Sequence, residues 1–353
     1  MATLTIEQID DLVLLTQKEL GKMKWTDLTT DLQEYFAMPR ILKKHKVKFD
    51  GGKLIQFNVM HDYNDTAKNV GLYQEDTVNV GDAFIQGSMP WRHCTTNYAY
   101  DRREVKINGS NKYKIIDMVK EKRAQALIAL AALMEDNFWG KPADAHDKLK
   151  PHGLQYWITY NATEGFKGGN PSGFTDGCAG IDSTAYPRWK NWTAQYAAID
   201  DNDFLQKLRK ATRFSNFKPP VEMPNYQKAD RYSYLTNWEV LNSLEKLLKV
   251  SNDNLGFDFG KYDGKASFLR RPIEWAPYLE SDNGWDGPED PLYGINWGAF
   301  EPFFLKGEYM VESKPQRAAN QHTVSVVHVD CTLNYICRDR RQNFLLAKSA
   351  TTA

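Results

Sequence analysis

A chain of 353 residues, 42% of them hydrophobic, can bury a sizeable core as two compact lobes or as one large lobe with extensions, which excludes a disordered protein. Its 45 Lys and Arg balance its 45 Asp and Glu, so there is no global positive field to gather nucleic acid or an anionic membrane. Aromatic residues make up 13% of the chain, which fits either wide contact surfaces or aromatics spread through a large core.

Cys94, Cys178, Cys331 and Cys337 show no CxxC spacing and do not read as a disulfide framework in a chain this long, which points to a reducing cytosol. Met1 to Leu20 mixes Glu7, Asp10, Asp11, Lys18 and Glu19 among its apolar residues, so it lacks the apolar core of a signal peptide. No run of about eighteen apolar residues occurs. The expectation is a soluble protein made inside the cell, with no membrane partner.

In chain order, Ile6, Ile9, Val13 and Leu20 recur at helical spacing behind Thr5, predicting an amphipathic helix over 5–20 that ends at Gly21. After the basic stretch Arg40 to Lys48, Asp50-Gly51-Gly52 introduces a strand from Lys53 to His61, with Ile55, Phe57 and Val59 on its oilier face. Residues 64–89 are polar and weakly patterned, and a second extended run covers Thr95 to Ile107 before Asn108-Gly109. Two such runs around a long excursion predict a protruding β-hairpin, because the excursion could bury little of its own backbone.

From Asn111 to Phe138 the pattern is helical. Ile116, Val119, Leu127, Leu130, Met134 and Phe138 share one side, and the alanine-rich Ala124 to Ala132 favours helix throughout. At 1.5 Å per residue this is roughly 42 Å, long enough to span a subunit. Residues 161–184 read as a glycine-rich loop with several positive-φ positions, too long to be an idle connection. Thr236 to Lys249 predicts a further helix through Trp238, Leu241, Leu244 and Leu248, and residues 268–310 predict short strands and ordered loops. Thr323 to Arg338 alternates, with Val327, Val329, Cys331, Leu333, Tyr335 and Cys337 on one face. That is either one long strand or two joined by a bulge near Asp330.

No catalytic constellation emerges. Gly165-Phe166-Lys167-Gly168-Gly169 lacks the Gly-Lys-Ser/Thr ending of a phosphate loop, and HExxH and GxSxG are absent. Asp282 to Tyr293 fails as a calcium loop, since Gly284 stands at a ligand position and Tyr293 where a bidentate Glu belongs. His93, His146 and His152 match no common zinc spacing and are the residues a metal-dependent hydrolase would have to use. The reading therefore assigns no catalytic residue, metal or cofactor. Basic clusters at Arg40 to Lys48, Lys120 to Arg123 and Arg338 to Arg341 read as solvated faces.

The order of parts resembles the major capsid protein of tailed bacteriophages, whose fold also occurs in encapsulins. Tyr100-Asp101-Arg102-Arg103-Glu104-Val105 leading into Lys112 to Glu135 resembles the passage from extended loop to spine helix. Trp238 to Leu248 with Phe268-Leu269-Arg270-Arg271-Pro272-Ile273 resembles the axial domain, and Pro291 to Trp297 with Gly307 to Met310 the strands leading out of it. His322 to Arg338 with Asn343 to Lys348 resembles the strand that returns to the peripheral domain. The resemblance implies an α+β fold with an N-terminal arm (1–49), an extended β-hairpin loop (50–109), a peripheral domain with the spine helix (110–195), an axial domain (196–315) and the return strand of the peripheral domain (316–353). It also implies pentamers and hexamers closing into an icosahedral shell around double-stranded DNA, in a virion assembled in the host cytoplasm. The implied partners are the chain itself, scaffolding and portal proteins, decoration proteins in some members, and DNA through non-specific contacts. Ile55, Phe57, Val59, Tyr98 and Tyr100 are then expected to meet a neighbouring subunit, and Ile116, Val119, Leu127, Leu130 and Met134 to form the spine-helix core. An encapsulin-type compartment is the alternative within the fold.

Overall fold

A computed structural model of the chain describes residues 32–37, 39, 47–63, 67–72, 82–101, 103, 112–217, 232–250, 267–269, 271–319 and 321–349. The helix expected at 5–20 lies outside the described residues. Two compact units are formed, one from Met1–Gly51, Arg92–Asn137 and Phe303–Leu333, the other from Gly52–Trp91, Phe138–Pro302 and Asn334–Ala353.

The first unit is organised by one strand and one helix. Strand β14, Gln321–Cys337, runs 17 residues and pairs antiparallel with β4, Arg92–Asp101, from Val324 opposite Asp101 to Leu333 opposite Arg92. The register is unbroken past Asp330, so this is one long strand without a bulge against β4. β11 (Phe300–Leu305) lies on β14 and carries β1 (Val47–Phe49) in parallel, while β12 (Val311–Glu312) and β13 (Gln316–Ala318) also pair with β14. Val327, Val329, Cys331 and Leu333 share their buried face with Tyr98, Cys94 and Arg92, their cross-strand partners or near neighbours.

Helix α1, Lys112–Trp139, has the expected length of 28 residues. Its buried stripe is Val119, Arg123, Ala126, Leu130, Met134 and Asn137, steps of three and four that keep one face inward. The two polar members have partners: Arg123 bonds Glu312 at 2.8 Å through Nε, and Asn137 donates to the Cys94 sulfur at 3.4 Å. Leu127, expected in this stripe, is only half-buried at its edge, and the Ile116 side chain lies outside the described ones. Glu135 is also buried, and its carboxylate accepts from the backbone N–H groups of Phe36 and Ala37 at 3.1 and 2.7 Å, tying the arm to α1.

In the second unit a seven-stranded sheet runs in the order β5-β6-β15-β10-β7-β9-β8. These are Gly165–Gly168, Asn191–Gln195, Phe344–Ala347, Leu292–Asn296, Tyr232–Thr236, Arg271–Trp275 and Ser267–Phe268. Two strand connections are parallel, β15 with β6 and β7 with β9. One face packs Trp192, Ala194, Tyr234, Leu292, Phe344 and Leu346 against Phe204, Leu208, Ala211, Val240 and Leu244 of two helices. The single turn α2 covers Leu154–Trp157; of the two covering helices, α3 is Phe204–Ser215 and α4 is Trp238–Val250. Asn237 caps α4 by accepting from the Val240 N–H at 3.2 Å.

The units cut across the expected divisions at 110–195, 196–315 and 316–353. Residues 138–195 fold with the sheet of 196–302 because β6 pairs with both β5 and β15. The chain's return passes beyond β14 into the middle of that sheet, where β15 lies between β10 and β6.

Candidate functional site

The feature that calls for a partner is a two-stranded ribbon in the second unit. Strand β2, Leu54–Met60, pairs antiparallel with β3, Phe84–Pro90, from Leu54 opposite Pro90 to Met60 opposite Phe84. The hairpin therefore closes within 54–90. The expected second strand at Thr95 to Ile107 was placed too late: residues 92–101 leave the hairpin and form β4 on β14. Tyr98 and Tyr100 are buried there within their own chain and are not hairpin residues.

Alternation gives the ribbon two different faces. The inner one carries Ile55, Phe57 and Val59 opposite Met89, Gly87 and Ile85. Ile55 and Met89 are buried, Phe57 and Val59 half-buried, by the chain itself. The Phe57 ring lies 6.4 Å from each of Trp157 and Trp189, and it occupies the space that a β-carbon on residue 87 would need. Ser88 donates its N–H to the carbonyl of Ala179 at 3.1 Å, and Asn334 donates to the carbonyl of Pro90 at 2.7 Å. Farther out, His61 meets Tyr186 edge-on at 5.0 Å and Arg188 reaches Asp62 and the ring of Tyr63. The residues expected to meet a neighbour thus hold the ribbon to its own subunit.

The floor under the ribbon is the loop expected at 161–184. Its positive-φ residues are Gly165, Gly173, Ala179, Gly177 and Gly180, as its glycine content predicts, with β5 as a short strand inside it. Asn170 ties it together, donating to Asp182 at 2.7 Å and accepting from Ser183 at 2.6 Å through its hydroxyl. Arg340, just before β15, is fully buried beneath it, donating to the carbonyls of Trp157, Trp189 and Gly169 at 2.8 to 2.9 Å and to Asn191 at 3.2 Å.

The outer face carries the opposite set. Leu54, Met60 and Phe84 are 37%, 50% and 62% exposed, separated by Gln56, Asn58 and Gln86. Among the described residues neither β2 nor β3 has a second strand partner. A ribbon with apolar side chains on its solvent face and, along β2, an edge without a strand partner among the described residues is a surface suited to another chain.

The histidines are placed singly. His93 pairs through Nδ1 with the Thr332 hydroxyl at 2.8 Å, His152 lies buried against Asn334 at 3.1 Å, and His146 follows a turn closed by Asp144. Among the described residues no three His, Cys, Asp or Glu side chains converge as a metal would require, and no helix is long and apolar enough to cross a membrane.

No family model matches the chain, and neither does any curated protein. Solved structures do. The capsid asymmetric unit of cyanophage A-1(L) superposes with a TM-score of 0.63 at 14% identity, covering 95% of this chain and 99% of that one. The capsid of an empty GTA particle follows at 0.55 and 11% identity, covering 94% and 96%. This is the tailed-phage major capsid fold. The likeness extends to the holo-SrpI encapsulin complex from Synechococcus elongatus PCC 7942, at 0.50 and 10% identity over 97% and 96% of the two chains. Of the elements expected from the sequence, α1 is the long helix and β14 is the long strand near the end of the chain. Sequence reasoning missed α3, although Phe204, Leu208 and Ala211 recur at helical spacing behind Asp203.

Proposed function

We propose that the chain is a structural subunit that assembles with copies of itself into the pentamers and hexamers of an icosahedral shell enclosing double-stranded DNA. The observation that carries this reading is a capsid fold matched over nearly the whole chain, joined to a ribbon whose outer face exposes Leu54, Met60 and Phe84 and whose β2 edge has no strand partner among the described residues. The ribbon lies on a neighbouring subunit through Leu54, Met60 and Phe84, burying apolar surface that the isolated subunit exposes. DNA meets the shell wall through local basic clusters that screen its phosphates without reading sequence, since the balanced charge provides no long-range field. Scaffolding, portal and decoration proteins are its further partners, the host cytoplasm its place of assembly and the virion its final location.

The chain is to be expressed, sized by light scattering and imaged by electron microscopy. Closed particles of megadalton mass are expected, with nuclease-protected double-stranded DNA in those recovered from infected cells. A monodisperse small oligomer at high concentration, with and without co-expressed scaffold, would refute shell building. Particles holding a protein cargo and no DNA would instead favour the encapsulin-type reading, to which the likeness to the SrpI complex gives its support.

A further inference from the structure

All four cysteines are buried thiols, and two of them face each other. Cys94 on β4 and Cys331 on β14 are Cα partners in antiparallel register, so their side chains leave the sheet side by side on the face of Val327, Val329 and Tyr98. Directly opposed residues in such a pair have Cα atoms about 4.5 or about 5.5 Å apart, depending on the hydrogen-bonding class. Both separations fall within the roughly 4.4 to 6.8 Å that disulfides span. Cys178 and Cys337 are not opposed in any strand register: the first donates to the Tyr156 carbonyl at 3.1 Å from a loop, and the second accepts from Asn343 at 3.3 Å.

We propose that Cys94 and Cys331 are an oxidation site, closed to an intrachain disulfide between β4 and β14 by a low-molecular-weight disulfide such as glutathione disulfide. The Cys94 thiolate attacks one sulfur of the oxidant and releases one glutathione thiolate. The Cys331 thiolate then attacks the Cys94 sulfur of the mixed disulfide and expels the second. The protein gives up two protons and two electrons, and glutathione disulfide becomes two thiols. Exposures of 5% for Cys94 and 1% for Cys331 make the reaction wait for local opening of the β4–β14 pair, and burial raises the Cys94 pKa, which keeps that thiol protonated meanwhile. Once formed, the bond joins two distant stretches of chain and limits how far the unfolded first unit can expand.

The purified chain is to be equilibrated in glutathione buffers from reducing to oxidising, alkylated, digested and mapped by mass spectrometry. The expected product is a linked pair of peptides containing Cys94 and Cys331, two hydrogens lighter than their sum. Oxidation should also raise the urea midpoint of unfolding, and dithiothreitol should reverse the rise. In Cys94→Ala both the linked peptide and the rise should vanish. Alkylation of both thiols at equilibrium in the most oxidising buffer would overturn the proposal, as would glutathione held on Cys94 without a link to Cys331. Should the variant fail to fold, the wild-type map decides by itself. The readout is the same for assembled and unassembled chains, so it stands or falls separately from the shell reading.

Discussion

Arg340 shows what a single side chain can hold. Its guanidinium is fully buried and gathers oxygens from Trp157, Thr159, Gly169, Trp189 and Asn191, in and on either side of the loop that forms the floor of the ribbon. A planar fork with five N–H donors can serve several carbonyls at once, whereas an ammonium is a point charge with three. Replacing Arg340 by Met removes the charge but leaves those oxygens dry, each at about 1 to 3 kcal/mol when unsatisfied. Arg340→Met should therefore cost at least ~3 kcal/mol in urea unfolding of unassembled subunits, and Arg340→Lys should recover less than half of the loss. Recovery of full stability by Lys would mean that charge alone, without the fork, organises the loop. The role was not readable beforehand because Arg338 to Arg341 looks like an ordinary solvated basic cluster, and nothing in its spacing marks the one Arg that faces inward.

At the scale of elements, what the sequence disclosed followed periodicity. The long helix α1 and the long strand β14 were legible because their patterns run over many residues, and their lengths came out as 28 and 17. Strand β3 was not. On its inner face the residue opposite Phe57 is Gly87, so the alternation that identifies a half-buried strand is interrupted where the ring lies. The same arrangement recurs in the seven-stranded sheet, where Gly294 stands opposite Phe344 and the ring fills the place of the absent β-carbon. Such pairs conceal a strand from pattern reading while packing it tightly. A β-carbon on residue 87 would lie 2.7 Å from Phe57 Cζ, and that ring is held by Trp157 and Trp189. Gly87→Ala should therefore cost about 1 to 3 kcal/mol through overpacking. The cost should largely disappear in a Phe57→Leu background, and a double-mutant cycle in urea measures that coupling. Equal costs in both backgrounds would place the strain in the backbone of β3 and not at the ring.

For the molecule as a whole, the order of parts carried the architecture, whereas which face of the ribbon stays exposed depended on a fact no sequence pattern holds. Ile55, Phe57 and Val59 are its oilier set, and oil is what an interface and a subunit's own floor both attract; here the floor has them. The three exposed side chains of the other face therefore offer a cleaner test of assembly than any buried residue, because changing them leaves the packing beneath the ribbon intact. Leu54→Glu, Met60→Glu and Phe84→Glu in combination add three negative charges to a surface that is to lose its water on docking, and an unpaired carboxylate there resists desolvation by several kcal/mol. Surface changes of this kind usually alter folding stability by about 0.5 kcal/mol or less. Positions 60 and 84 stand directly opposite, so their two carboxylates repel; the triple variant should lose about 1 to 2 kcal/mol in urea unfolding but stay folded and soluble, yet yield no closed particles under conditions where wild type forms them. Ile55→Ala should fail differently, losing ~2 to 5 kcal/mol of stability before assembly is reached. If the triple variant builds normal shells, neighbours do not meet at this face, and the edge of β2, which has no strand partner among the described residues, becomes the next surface to test.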